Sequence, residues 1–350
     1  ISKANLPSTT ADGTLSGTHA VHDGQVSLSF AEMKKLVDLG DIVGARGGLR
    51  RTEKGELSVN VNHLVVLTKA VRPLPDKWHG LGEDNLEARY RQREVDLIVS
   101  GAAGLARKAL VARAATSGAI RRYLDDLGFM EVETPVLHAR AGGADARPFA
   151  TRHNALGKHL TLRIATELHL KRLVVGGMER VYEIGRIFRN EGISTRHNPE
   201  FTSVEVYQAY ADYHDMMALT EDLVKTIARS VLGKLNHGHG GGDSAGDISS
   251  IEYQGETLDL QAPFQKHSMS DIVRTRTGVD PFEVQARAEA GGEPFASLLL
   301  SALREKGLVD LNEASSLEIE TACLSSAGHA LGCLFELFVE KELIQPTFIT

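Results

Sequence analysis

Cysteine is scarce in this sequence: the 350 residues include two, Cys323 and Cys333, within an apolar stretch of helical pattern. Two cysteines supply neither a disulfide framework nor a full set of zinc ligands, so we expect buried thiols and a reducing compartment. Apolar runs of the roughly 20 residues that span a bilayer are also missing. We therefore expect a soluble protein without a membrane partner, in the cytoplasm or in an organelle matrix or stroma.

Acidic residues outnumber basic ones, and the formal net charge is -7. An acidic chain is not a general nucleic-acid binder, so any RNA contact would have to be local. Hydrophobic residues make up 42% and charged residues 24%, which is typical of a globular protein. The length suffices for two domains, each with its own core.

The stretch from Val181 to Tyr210 predicts two strands joined by a polar loop, because apolar and polar residues alternate along it. In a hairpin one face would be apolar, with Tyr182, Ile184 and Phe188 on its first strand. The other face suits a ligand with both phosphate and ammonium groups, although an ordinary amphipathic hairpin with surface salt bridges is the alternative. This polar face would gather Arg189, Glu191, Phe201, Glu205 and Tyr207.

The same stretch resembles motif 2 of the class II aminoacyl-tRNA synthetases, and among these it is most similar to the lysyl-tRNA synthetases. The resemblance rests on residues 188–191 (Phe-Arg-Asn-Glu), residues 197–201 (His-Asn-Pro-Glu-Phe) and Glu205. It implies an α+β fold, with an antiparallel catalytic sheet flanked by helices and preceded by a partial OB-type β-barrel. It also implies a ligase that uses ATP and Mg²⁺ to convert lysine to lysyl-adenylate and then transfers lysine to tRNA(Lys).

The resemblance assigns the nucleotide site to the polar face and its loop. Arg189 is implied as the catalytic residue, since a guanidinium can bridge the α-phosphate and the substrate carboxylate. Arg196 and His197 would meet the outer phosphates, and Phe201 would stack on the adenine. The full set of expected ATP-binding residues is Arg189, Glu191, Arg196, His197, Asn198 and Phe201.

A lysine pocket is implied by four further positions. Glu205 and Tyr207 would hold the ε-ammonium group, which favours lysine because a neutral side chain would leave a buried carboxylate unpaired. Glu167, at the predicted start of a helix, resembles the acid that holds the α-ammonium group. Gly143 lies in a glycine loop that resembles the segment closing over the amino acid; a plain turn is the alternative.

The predicted domain organisation has four parts. Residues 1–22 form a flexible lead, and residues 23–70, with short strands around one helix, form the partial OB-type domain that would bind the anticodon. A barrel that serves only for packing is an equal alternative for this part. Residues 71–100 are a linker, and residues 101–350 are an incomplete catalytic domain.

Residues 105–135 predict a long helix followed by a strand, and together they resemble motif 1, through which these enzymes form homodimers. We expect the helix to end at Gly128. Its apolar face would consist of Leu110, Ala114, Ile120 and Leu124.

Farther along the chain, a glycine-rich insertion near residues 236–246 contains His237 and His239. We interpret it as a flexible surface insertion rather than a metal site, because glycine fixes no ligand geometry. Residues 251–260 predict a hairpin, and residues 281–308 and 317–343 predict helices. The expected core stripe of the last helix is Leu331, Leu334, Phe335 and Phe338.

The acids that bind Mg²⁺ and the last catalytic motif, motif 3, would by resemblance lie beyond Thr350, so no metal ligand is named here. With Ile1 rather than Met at its start, the chain is expected to be truncated at both ends and inactive as it stands. A non-catalytic dimerisation or RNA-binding protein built from the same parts is one alternative. A paralogue that attaches lysine to a protein is another.

Overall fold

The computed structural model describes residues 35–72, 86–100, 104–194, 197–237, 249–308 and 324–350. The chain forms two compact units, residues 1–110 and residues 111–350. The expected flexible lead, residues 1–22, lies outside the described residues. Within the described ranges, no helix has the length and apolar character needed to cross a membrane.

The first unit contains an antiparallel hairpin of β1 (Ile42–Arg51) and β2 (Leu57–Thr68). The sequence predicted short strands in residues 23–70, but β1 and β2 are long, with 10 and 12 residues. The hairpin bulges between Arg46 and Gly47, where a Cβ on Gly47 would overlap the carbonyl oxygen of Asn60. In the described part of this unit the strands form a two-stranded sheet, so a closed OB-type barrel is not confirmed.

Asp41 ties the two ends of this hairpin together. Its carboxylate accepts hydrogen bonds from the Asp38 and Ala70 backbone N–H groups and from Lys69 Nζ, each at 2.7 Å. The Asp38 N–H, the Lys69 ammonium and the Ala70 N–H lower the pKa of Asp41 to about 2. One ion pair and two backbone hydrogen bonds thus hold together the two ends of a hairpin that has few buried apolar residues.

The segment expected as a linker, residues 71–100, contains two short helices where it is described. These are α1 (Leu86–Arg91) and α2 (Arg93–Ser100). The buried carboxylate of Asp96 accepts from Arg89 Nε at 2.9 Å and from Arg93 Nη1 at 2.7 Å, joining both helices. A buried charge requires such partners.

Helix α3 (Leu105–Asp126) ends where the sequence predicted, at Gly128. Gly128 adopts a φ of 78°, its N–H donates to the Asp125 carbonyl, and the Phe129 N–H donates to the Leu124 carbonyl. The predicted apolar face is wrong at Leu110 and Ala114, which are exposed. The prediction is confirmed at Ile120 and Leu124, which are buried, and the other buried residues of the helix are Ala106, Ala115 and Ala119.

The central sheet of the second unit has three strands, β3 (Met130–Glu131), β7 (Arg180–Phe188) and β8 (Glu200–Gln208), with β7 in the middle. The predicted hairpin is confirmed: β7 and β8 are antiparallel, and β3 runs parallel to β7. One face of this hairpin packs on α3 and α5 (Tyr213–His237). That core consists of Ile120, Leu124, Phe129, Tyr182 and Leu223.

A second three-stranded sheet leads into the site. Its order is β4 (Leu137–His138), β6 (Lys158–Leu162) and β5 (Ala150–His153), all antiparallel. Four residues after β6 the chain begins α4 (Glu167–Val175). The turn between them, residues 163–166, is buried and passes beneath the central sheet's polar face.

The rest of the unit is largely helical. The predicted hairpin at 251–260 is confirmed as β9 (Ser250–Tyr253) and β10 (Glu256–Asp259), and β11 (Gln265–His267) runs parallel to β12 (Thr347–Ile349). The predicted core stripe is also confirmed, with Leu331 and Leu334 buried and Phe335 and Phe338 packed against them. The helices are α6 (Met269–Thr277), α7 (Pro281–Gly291), α8 (Phe295–Glu305) and α9 (Ala327–Phe338).

Two expectations about these segments need comment. Cys333 on α9 is disulfide-bonded, so the expectation of two free buried thiols is wrong for this residue. Cys323 lies outside the described residues, as does most of the glycine-rich insertion near 236–246. The α+β class is confirmed by the mixture of antiparallel sheets and helices, with two strand pairs running parallel.

Candidate functional site

The polar face of the β7–β8 hairpin places two carboxylates side by side. Glu183 pairs directly with Glu205 in the strand register, so both side chains project from the same face. Like charges directly opposite each other destabilise a sheet. The two groups differ in what surrounds them, and this difference defines the site.

Glu183 is neutralised by a buried arginine. Arg163 Nη1 forms an ion pair with Glu183 Oε1, and both side chains are less than 5% exposed (4% and 3%). The Thr134 hydroxyl donates to Glu183 Oε2 at 2.7 Å, and Arg163 Nε donates to the Arg186 carbonyl at 2.9 Å. A Cβ on Gly185 would overlap Arg163 Nη2, so glycine makes room for the guanidinium. The pair satisfies the hydrogen-bonding needs of its carboxylate.

Glu205 receives neutral donors instead. Its Oε1 accepts from the Thr166 N–H at 2.9 Å, and its Oε2 accepts from the Tyr207 hydroxyl at 3.2 Å. In the described part of the chain Glu205 forms no salt bridge within 4.0 Å. Burial, followed by the nearby charges of Glu205 and Glu167, raises the pKa of Tyr207, so this phenol remains a donor at neutral pH.

Glu167 lies beside this pair, as the first residue of α4. Its carboxylate accepts from Lys171 Nζ at 2.5 Å, one helical turn on. Gly143 adopts a φ of 90°, and its backbone is so close that an added Cβ would be 3.2 Å from the Cβ atoms of Ala165 and Glu167. The structure thus places Gly143 next to Glu167, and its approach to the amino acid stays a prediction.

Arg189 and Phe201 lie at the end of the same hairpin. Arg189 Cζ is 5.4 Å from the centre of the Phe201 ring. Arg189 Nε is buried and has no hydrogen-bond partner in the part of the chain that the structure describes. A buried guanidinium N–H without an acceptor is costly, and an anionic ligand would satisfy it.

The remaining predicted nucleotide contacts differ in where the structure places them. Glu191 Oε1 accepts from the Arg147 N–H at 3.3 Å, which joins it to the glycine loop. His197 Nδ1 is 2.8 Å from Ser194 Oγ within a tight, exposed turn, and Asn198 is exposed. Arg196 lies outside the described residues. The structure therefore brings Arg189, Glu191 and Phe201 to one region, and leaves His197 and Asn198 on a surface loop.

Sequence reasoning missed three residues of this site. Arg163 had a signal, since it is a charged residue inside an otherwise apolar stretch, Leu160 to Ala165. Glu183 had a similar signal, because it is a charged residue flanked by apolar residues in the strand. Lys171 could have been found from its four-residue helical spacing to Glu167.

A metal centre has no support in the described ranges. Among those residues, no three His, Cys, Asp or Glu side chains are grouped so that they could hold a metal ion.

Comparison with known proteins identifies the family of the chain. Residues 85–350 match the family model described as tRNA synthetases class II (D, K and N). Over 92% of its length the chain is 51% identical to a "Lysine--tRNA ligase" of Nostoc sp. (strain PCC 7120) and 52% identical to one of Thermosynechococcus vestitus. It is 49% identical to another of Synechococcus sp. (strain CC9311). The chain spans about half the length of these curated relatives, from 50% to 58%. With the family match covering well over half of its residues, the chain belongs to the tRNA synthetases of class II (D, K and N).

Proposed function

We propose that this chain is part of a lysine--tRNA ligase, which activates lysine with ATP and transfers it to tRNA(Lys). One observation carries the choice of lysine. Glu205 is a half-buried carboxylate held by two neutral donors, with no salt bridge to it in the described part of the chain. The relatives named above, which carry the name lysine--tRNA ligase, support the same choice.

The charge of Glu205 explains why the substrate would be cationic. A partly desolvated carboxylate gains most from an ammonium group, whereas norleucine would leave it unpaired and aspartate would be repelled. Arg163 has already cancelled the charge of Glu183. The polar face therefore presents Glu205 as the group left to be neutralised by a ligand.

The proposed first step needs no nucleophile from the protein. A carboxylate oxygen of lysine attacks the α-phosphorus of ATP, and the bond from that phosphorus to the bridging oxygen breaks to release pyrophosphate. The protein must orient the two reactants and offset the negative charge. Arg189 is suited to this because its buried Nε lacks an acceptor, and Phe201 provides an aromatic face beside it.

The other predicted ATP residues would complete the nucleotide site. Glu191 would accept from the adenine edge, and His197 and Asn198 would approach from the exposed loop. Transfer then follows when a terminal ribose hydroxyl of tRNA attacks the acyl carbon of lysyl-adenylate and AMP leaves. Arg46, Arg50 and Arg51 on β1 are exposed, which supports a local RNA contact by residues 23–70, proposed as part of an OB-type domain.

Substituting Glu205 tests the choice of lysine most directly. Glu205→Gln keeps the shape and removes the charge, which should cost about 1.5–3 kcal/mol of lysine binding, or roughly 10- to 150-fold in Kd. Isothermal titration calorimetry of lysine against the 350-residue chain measures this, and lysine-dependent exchange of pyrophosphate into ATP measures activation. Glu200→Gln is the matched control, since Glu200 lies on the same strand but is exposed.

The outcomes separate the alternatives. Lysine affinity that falls in Glu205→Gln and not in Glu200→Gln supports the proposal. Equal binding of lysine by the wild type and Glu205→Gln, or tighter binding of asparagine or aspartate, would contradict it. A chain that binds none of these amino acids would point to the non-catalytic alternative.

We also propose that the 105–135 region joins two copies of the chain. Within this region Leu110, Leu127 and Met130 are between 41% and 56% exposed, and exposed apolar side chains of this size favour burial in an interface. Sedimentation velocity should show a dimer that Met130→Lys shifts toward the monomer. Leu156→Lys, at another exposed leucine, should leave the mass unchanged.

A further inference from the structure

The carboxylate assigned to the substrate's α-ammonium group is already paired within the chain. Glu167 accepts from Lys171 Nζ at 2.5 Å. We propose that Lys171 is a positioning residue for substrate selection: its ammonium holds Glu167 while the pocket is empty, and the α-ammonium of lysine displaces it. This inference rests on the proposed function.

Lys171 lies on the exposed side of α4, at the rim of the proposed lysine pocket. Its Nζ is 6.0 Å from the centre of the Tyr207 ring, and the Tyr207 hydroxyl donates to Glu205. Lys171 Nζ is therefore paired with one of the two carboxylates proposed to bind the substrate, and it lies near the tyrosine that donates to the other. The helix itself holds Lys171 beside Glu167, because the two residues are one helical turn apart.

The Lys171 side chain is freer to move than the Glu167 side chain, so we expect Lys171 to move when lysine binds. The Lys171 side chain is 56% exposed, whereas that of Glu167 is 31% exposed and its Cβ lies close to the Gly143 backbone. Lys171 can turn into water at little cost, because an exposed ion pair one helical turn apart is weak. Glu167 stays in place and exchanges one ammonium partner for another.

This exchange has a chemical consequence. Only ligands with an α-ammonium group compete with Lys171, so their affinity is lowered by the strength of the internal pair. A ligand such as 6-aminohexanoic acid has the same chain and terminal ammonium but no α-ammonium group. It leaves the Glu167–Lys171 pair intact, and its affinity should not depend on Lys171.

Lys171→Met tests this with two probes, L-lysine and 6-aminohexanoic acid, titrated against the 350-residue chain by calorimetry. The affinity for L-lysine should rise about twofold, the value of an exposed ion pair of this spacing. The affinity for 6-aminohexanoic acid should stay within error of the wild type. Lys171→Arg retains a cation and should leave both affinities near the wild-type values.

A matched control is available on another helix. Arg274 of α6 forms an exposed ion pair with Asp271 at 2.7 Å, far from the pocket in sequence, and Arg274→Met should change neither affinity. Weaker L-lysine binding in Lys171→Met would overturn the inference, as would an equal change for both probes. Failure of the wild type to bind either probe would instead reject the proposed function, and the inference with it.

Discussion

The two faces of the β7–β8 hairpin are buried by different means. On one face Tyr182 pairs with Val206 and Ile184 with Val204, and two long helices cover them. On the other, Glu183 pairs with Glu205 and is neutralised by Arg163. One face is closed by apolar area and the other by matched charges and hydrogen bonds.

This contrast explains why the site lies where it does. Apolar packing is non-directional, so α3 and α5 can pack on their face without specific partners. Charge burial needs specific partners, and the structure supplies them for Glu183 but leaves Glu205 with neutral donors. On the polar face the charge of Glu205 is held by neutral donors only, and a cationic ligand can supply the missing positive charge.

The largest effect is expected from breaking the buried ion pair. Arg163→Met leaves Glu183 buried without its cation, which should lower the free energy of unfolding by about 3–5 kcal/mol. Urea denaturation followed by circular dichroism measures this. Arg186→Met is the control, because Arg186 is 52% exposed and its pair with Glu200 spans 3.4 Å, so a loss below about 1 kcal/mol is expected.

The double variant Arg163→Met with Glu183→Gln sharpens this result. It removes both charges, so it should be more stable than Arg163→Met alone, since an uncompensated buried charge is the main cost. A double variant as unstable as the sum of the two single variants would show that packing, rather than charge balance, explains the polar face.

A comparable but smaller effect is expected on the apolar face. Leu124 is fully buried, and Leu124→Ala should cost about 3 kcal/mol through lost burial and the cavity left behind. Lysine affinity should stay unchanged in the folded protein, because the side chain faces away from the site. Leu156→Ala, at an exposed leucine, should cost little. A loss of lysine affinity in Leu124→Ala at full folding would break the separation of the two faces.

Gly185→Ala should have the next largest effect. A Cβ there overlaps the Arg163 guanidinium, and such overpacking typically costs about 1–3 kcal/mol. Gly192→Ala introduces the same methyl group into open space and should leave the urea midpoint nearly unchanged. Equal midpoints for the two variants would mean that Arg163 moves aside freely and does not fix Glu183.

Sequence patterns predicted the apolar face better than the polar one, for a physical reason. Alternation in β7 and β8 and the glycine after α3 are local signals, and they located the hairpin and the end of the helix. Arg163 and Glu183 are 20 residues apart, and their contact depends on how one sheet passes beneath another. The two-stranded β1–β2 sheet and the exposed Leu110 show the same limit, since neither follows from local periodicity.

The smallest effect concerns one tyrosine on each face. Burial is the main cause that raises the pKa of both Tyr182, whose hydroxyl donates to Asp125 at 2.8 Å, and Tyr207. Because the folded state holds these protons more tightly than the unfolded state, the stability they add is fully present below about pH 10 and is lost as pH rises above it. Stability should therefore begin to fall as pH rises above about 10, the ordinary tyrosine pKa, and should keep falling toward the raised pKa of the folded state.

Absorbance at roughly 295 nm, where ionised tyrosine absorbs, measures the ionisation of Tyr182 and Tyr207. Tyr207→Phe should reduce the amplitude that appears above the ordinary tyrosine range, because burial raises the pKa of Tyr207. Tyr182→Phe should do the same, but Tyr207→Phe alone should also weaken lysine binding, because it removes a donor to Glu205. If Tyr207→Phe instead reduces the amplitude near pH 10, Tyr207 is open to solvent, and the polar face is less desolvated than its contacts indicate.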